Sequence, residues 1–246
     1  MTTLSKRACT VVLVHGAWAD GSSWRRVIAR LLADGLDVVA VQNPTSSLAD
    51  DVAATQAVLA TVNGPVVLVG HSWGGTVITE AGNDPKVAGL VYVAAFAPDV
   101  GESTGDQVGA HAPPPGLSGV ADDGTGRLRM SVASWIENVA QDLPEHEARV
   151  LAAIAPPLGA ATFGDKITQA AWKNRPNWYV LSSGDRAVSV PLQRELAVRL
   201  KARTIELAAS HMALLSQPDA VAAVIRDAVD SIAGASEASS AAPAAR

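Results

Sequence analysis

A single cysteine, Cys9, stands in 246 residues, so no internal disulfide can form, and with five histidines there is little material for a Cys/His metal site. No apolar run approaches the roughly 20 residues that cross a bilayer. The apolar stretch 8–14 behind Lys6 and Arg7 is too short for a signal peptide and runs into His15 and Gly16. Basic residues do not outnumber acidic ones: 19 against 24 leave a formal net charge of −5. Phosphate backbones and anionic membrane surfaces are therefore repelled on average, which argues against a nucleic-acid or membrane module. Aromatic residues make up only 4% of the chain, and most of them are tryptophan. What is abundant is aliphatic: 48% hydrophobic residues against 17% charged ones suit one compact domain with a sizeable core. The expectation is a soluble, cytoplasmic protein.

Short valine-rich runs recur between longer amphipathic segments. The runs 11–14, 38–41, 66–69, 90–93 and 178–181, with 204–207 as a weaker sixth, are apolar on both faces, which suits buried parallel strands. Between them, 22–33, 47–62 and 191–200 read as helices, the second capped by Ser47 or Asp50. Strand and helix alternating imply an α/β sandwich. The alternation breaks over 98–171, where loops rich in Gly, Pro and Asp give way to helical candidates at 131–141 and 144–154, so this stretch reads as an inserted lid. Residues 1–97 and 172–232 are then the two parts of the core. A last helix is expected over 218–232, and 233–246, rich in Ala and Ser, reads as a disordered tail.

The chemistry is carried by Gly70-His71-Ser72-Trp73-Gly74-Gly75, directly after the run 66–69 and before a helix-compatible stretch. This is G-x-S-x-G in the context it needs. A serine on a tight strand-to-helix turn leaves no room for side chains at Gly70 and Gly74 and presents its hydroxyl as a nucleophile. Serine is a poor nucleophile at neutral pH, so an imidazole must take its proton and a carboxylate must fix the imidazole tautomer.

On such an elbow the order is nucleophile, acid, histidine, which leaves His111, His146 and His211 as bases. His211 follows the last strand by a short loop and so lies at the carboxyl edge of the sheet, where the elbow opens. His111 sits in the loop-rich insert, and His146 reads as a solvated helix face. For the acid, Asp185 in Ser182-Ser183-Gly184-Asp185-Arg186 follows the strand next in line and is preferred over Asp99. His15-Gly16-Ala17-Trp18 follows the first strand and supplies oxyanion-hole material. The two donors are assigned to the backbone amides of Ala17 and Trp73, while His15 and His71 are given structural roles.

With these residues in view, the chain resembles the α/β-hydrolase superfamily from VVLVHGAW through GHSWGG to SGDR and SHMALLSQP, and within it the small esterase and hydroxynitrile lyase branch that includes plant methylesterases. The resemblance implies a six-stranded, mostly parallel sheet, a lid over the pocket, and hydrolysis through an acyl-serine with no metal and no cofactor. Lyases of that branch typically carry a threonine after the first motif histidine and a lysine after the catalytic one. This chain has Gly16 and Met212 there, which favours an esterase over a lyase.

The expected activity is that of a carboxylesterase on a small, largely apolar ester. C–C bond, lactone or amide hydrolysis by the same residues stays open, as does a slow-turnover ligand receptor on this fold. Gly16, Trp18, Trp135, Phe163, Trp172 and Met212 are candidate substrate contacts, whereas Trp24 and Trp178 read as core and Cys9 as an inert small hydrophobe. The partner is a small molecule, and the oligomeric state is left open with a homodimer as one option.

Overall fold

The computed structural model describes residues 9–241, and their side chains as far as residue 234. The core begins with β1 (Thr10–Val14), α1 (Arg25–Ala33), β2 (Asp37–Ala40), α2 (Leu48–Thr61), β3 (Val66–His71), α3 (Gly74–Ala81) and β4 (Val87–Val93). There follow α4 (Thr104–Gly109), β5 (Val120–Asp122), β6 (Arg127–Met130), α5 (Val132–Ser134), α6 (Glu145–Ile154) and β7 (Leu158–Gly159). The chain returns to the core with β8 (Asn177–Ser182), α7 (Val190–Arg199), β9 (Arg203–Leu207), α8 (Ala213–Ser216) and α9 (Pro218–Ala241).

Six strands pair in parallel in the order β2-β1-β3-β4-β8-β9. Successive side chains leave opposite faces of a strand, and here both faces are covered. Val11, Leu13, Val67, Val69 and Val91 pack with Leu31 of α1 and Ile225 of α9. Val12, Val14, Leu68, Leu90 and Tyr92 pack with Leu59 of α2, Ile78 of α3 and Leu196 of α7. The expectation of strands buried on both faces holds for β1, β3, β4 and β8. It fails for β2 and β9, whose side chains are largely half-buried or exposed. They are the sheet edges, each with one neighbour and little cover.

Caps start the helices where the sequence placed them. Ser47 Oγ accepts the Asp50 N–H at 3.1 Å to open α2, so the serine and not Asp50 is the cap. Asp20 accepts the Ser22 N–H at 2.7 Å and opens a 3-10 turn, Gly21–Trp24, that leads into α1.

Three expectations need correction. The insert was read as loops and helices, yet β5, β6 and β7 form a three-stranded antiparallel sheet. The helix expected over 131–141 is instead the short α5 followed by a single π turn, Trp135–Val139. The last helix does not stop at residue 232: α9 continues to Ala241. The helix thus takes in 233–241 of the stretch expected as a tail, and 242–246 lie outside the described residues. Among the described residues, no helix is long and apolar enough to cross a membrane.

Candidate active site

β3 ends at His71, and the next residue, Ser72, turns the chain with φ at 54°, a left-handed conformation that a non-glycine residue adopts only when its surroundings impose it. Three main-chain hydrogen bonds impose it here. The Ser72 N–H donates to Val93 O at 3.2 Å, and its carbonyl accepts from the N–H groups of Gly75 at 2.9 Å and Phe96 at 3.2 Å. The following helix then leaves so close to β1 that a Cβ on Gly74 would lie 2.5 Å from the Val14 carbonyl oxygen. Only glycine fits.

The acid and base stand at the carboxyl ends of β8 and β9. Asp185 is buried, and its carboxylate accepts four hydrogen bonds. Oδ1 takes the N–H groups of Ala187 and Val188, both at 2.8 Å; Oδ2 takes Gln193 Nε2 at 2.8 Å and His211 Nδ1 at 2.7 Å. A carboxylate that accepts from Nδ1 fixes the proton there and leaves Nε2 of the neutral ring as the free base. The histidine loop is held as well: the Ser210 N–H donates to Asp142 Oδ2 of the lid at 2.7 Å, and the Met212 N–H to Ser210 Oγ at 3.0 Å.

The other candidates fall elsewhere. Asp99 pairs with Lys173 at the surface and meets no histidine. His111 lies beside Glu195, 3.2 Å away, and His146 is exposed on the first turn of α6. His15 donates from Nδ1 to Gly16 O and accepts the Asn43 N–H at Nε2, both at 2.9 Å, so it ties the loop backbone together as expected. His71 donates from Nε2 to the main-chain oxygen of His211 at 2.9 Å, with the two rings 4.6 Å apart. Burial holds both His15 and His71 below the ordinary imidazole range, His71 far below it. Burial also pushes the Cys9 thiol up to about 11, in keeping with an inert side chain.

Ser72 and His211 open onto one cavity with an empty volume of about 550 Å³, counted with its mouth. Trp18, Trp135, Phe163 and Met212, four of the six expected contacts, line it with Ala17, together with Phe96, Leu117, Met130 and Val139, which sequence reasoning did not single out. Trp18, itself at φ 54°, sends its indole N–H to Leu128 O on β6 at 2.9 Å and packs edge-on against Phe163.

Two expected contacts are not in the cavity wall. Trp172 is turned away, its N–H donating to Pro98 O at 2.9 Å. Gly16 lies beneath Ser72, where an added Cβ would come within 2.8 Å of the serine Cβ. The side chain of Trp73 also points away and donates to Asp51 Oδ2 at 2.7 Å. Asp51 is wholly buried on α2, also accepts the Thr45 N–H at 2.8 Å, and is raised by desolvation above the ordinary carboxylate range. Asp51 and Gln193 escaped the sequence reading because each sits mid-helix, where only the fold decides which face looks inward. Among the described residues no group of three His, Cys, Asp or Glu is arranged to hold a metal ion.

The family model described as "Alpha/beta hydrolase family" matches residues 11–224. The chain belongs to the alpha/beta hydrolase family. This hydrolase is similar to a probable hydrolase from Phoma sp., 28% identical over 242 residues that cover 88% of this chain and 96% of the relative. Its fold is similar to that of a pyrethroid hydrolase from Sphingobium faniae, with a TM-score of 0.77, 22% identity, and coverage of 90% and 97% of the two chains. It is similar also to that of a methylesterase from Arabidopsis, with a TM-score of 0.73, 21% identity, and coverage of 90% and 99%. These neighbours share the fold of the hydrolase, six parallel strands with helices on both faces.

Proposed function

We propose that this hydrolase is a carboxylesterase that cleaves small, largely apolar esters through an acyl-serine intermediate. The observation that carries the reading is the buried Asp185–His211 pair, 2.7 Å apart, whose imidazole shares one apolar cavity with a serine on a strained elbow. Ser72 Oγ attacks the ester carbonyl as its proton passes to His211 Nε2, and the imidazolium is stabilised by Asp185. The oxyanion is received by the backbone amides of Ala17 and Trp73, each donor contributing about 3 to 4 kcal/mol to the transition state. His211 then gives its proton to the departing alkoxide, and the alcohol leaves. Water repeats the sequence on the acyl-serine, the proton again passing through His211, and the carboxylic acid is released with Ser72 restored.

The absence of any Lys, Arg, Asp or Glu from the cavity wall supports a neutral substrate. The crowding of Gly16 against Ser72 supports the esterase over a lyase, whose branch carries a side chain at that position. The test is turnover of p-nitrophenyl esters of rising acyl length by wild type and S72A, with fluorophosphonate labelling alongside. The expected result is activity and labelling in wild type, and a loss of at least about 10³-fold in S72A with an unchanged circular dichroism spectrum. Full turnover in S72A would overturn the proposal.

A further inference from the structure

The cavity beside Ser72 is walled almost wholly by carbon, and buried polar atoms in such a wall ordinarily have partners. Four of the six tryptophans spend their N–H inside the protein: Trp18 on Leu128 O, Trp73 on Asp51, Trp172 on Pro98 O and Trp178 on Asp227. Trp24 and Trp135 are buried with their N–H groups unpartnered. Trp24 belongs to the core under α1 and does not reach the cavity. Trp135 lines it.

The way Trp135 arrives there is a second, independent observation. It opens the single π turn of the lid, closed by the Ala140 N–H donating to Trp135 O at 2.9 Å. Widened turns of this kind are frequent at functional sites, and here Trp135 and Val139, at the two ends of the turn, both line the cavity. Asn138 Oδ1 on the same turn is also unpartnered, but Asn138 is not part of the wall.

The remaining unpartnered atom of a wall residue is His71 Nδ1. It is closed off. A Cβ on Gly16 would come within 3.2 Å of it and 2.8 Å of Ser72 Cβ, so no ligand atom fits between them. The cavity wall thus holds one neutral donor without a protein partner, on a lining residue, and no Lys, Arg, Asp or Glu is among the lining residues. A charged substrate group would be left unpaired in it.

We propose that the Trp135 indole N–H is a substrate-recognition donor. On the esterase reading above, which this inference deepens, the substrate is an apolar ester that carries one further neutral hydrogen-bond acceptor, a ketone, ether or second ester oxygen, on the part lying under the lid. Trp135 selects among esters by that oxygen.

The test uses matched p-nitrophenyl esters: straight-chain alkanoates and the same chains with one methylene replaced by an ether or keto oxygen at successive positions. The ratio of kcat/KM for the oxygenated ester to that for the plain ester is measured in wild type and in W135F, which keeps a ring and loses the N–H. Comparing the two ratios cancels the intrinsic reactivity of each ester and the packing lost with the indole. At one position the wild-type ratio should stand above its neighbours, and W135F should lower it about tenfold, the scale of one neutral hydrogen bond with an otherwise unpaired partner. An equal ratio in both proteins would overturn the proposal, and so would a wild-type scan in which no oxygen position stands out, a result that does not need the variant to fold. The plain esters report the esterase reading separately. If wild type turns none over, the same pairs as methyl esters are titrated calorimetrically into S72A and S72A/W135F, where an affinity ratio that does not differ between the two proteins rejects the Trp135 assignment.

Discussion

The Ser72 side and the Asp185–His211 side of the cavity are held by opposite means. Around Ser72 the chain is fixed by backbone pressed on backbone: the positive φ of the serine, its hydrogen bonds to Val93, Gly75 and Phe96, and the missing side chains at Gly16 and Gly74. Around His211 the chain is fixed by side chains reaching for one another: Gln193 and His211 on the same oxygen of Asp185, and Asp142 on the Ser210 N–H. The first arrangement fails when an atom is added and the second when one is removed. A rigid main-chain turn suits the attacking atom, whose position must not wander, whereas a relay of hydrogen bonds suits groups that gain and lose protons.

The sharpest way to break this contrast is G74A. Its Cβ would sit 2.5 Å from a backbone oxygen of β1, which cannot step aside as a side chain would. The expected cost is at least about 3 kcal/mol, together with loss of activity. A calorimetric Tm within about 2 °C of wild type would show that the elbow is not held by close contact.

The second is Q193L, which leaves the buried Ser182 N–H and one Asp185 lone pair without a partner. Gln193 is a positioning residue that acts on His211 through Asp185, so kcat should fall about 10- to 100-fold with KM moving much less, at a stability cost of about 1–3 kcal/mol. A KM effect as large as the kcat effect would argue for a purely structural role.

The smallest effect is on pH dependence of stability. Folding holds His15 and His71 neutral and lowers both, so below the ordinary value of 6.5 the unfolded chain binds more protons than the folded one. Stability is therefore lost as pH falls through that value, with a limiting slope of about 1.4 kcal/mol per pH unit for each histidine. Asp51, raised by burial, acts in the opposite direction as pH falls from its raised value towards the ordinary carboxylate one. A Tm unchanged between pH 8 and 5.5 would mean that neither histidine is excluded from water as the packing indicates.

The residues at the two ends of this contrast differed in how far they could be read beforehand. Ser72, Asp185 and His211 could be named because glycine spacing, chain order and strand ends are properties of the sequence itself. All six strands of the main sheet announced themselves through apolar runs, and only the burial of the two edge strands was overstated, since an edge strand needs less cover than its composition suggests. The lid was harder. Its small sheet turns on Asp122-Asp123-Gly124-Thr125-Gly126, a hairpin signal hidden among other loop-forming residues. Trp172 looked like a pocket residue because its position in the chain was right, yet its ring is turned so that its N–H reaches Pro98 O.

The stretch over the cavity is fastened to the rest of the molecule at many points, three of them far apart and close to the site. Leu128 O holds the indole of Trp18 beside the oxyanion loop, Asp142 holds the histidine loop, and Glu147 takes both oxygens to Arg26 of α1 at 2.8 Å. A hinge opening would have to undo all three together, and two of them support the reacting groups. The roof is thus a buttress: anything bulky enough to lift it would disturb the Trp18 loop and the His211 loop in the same movement.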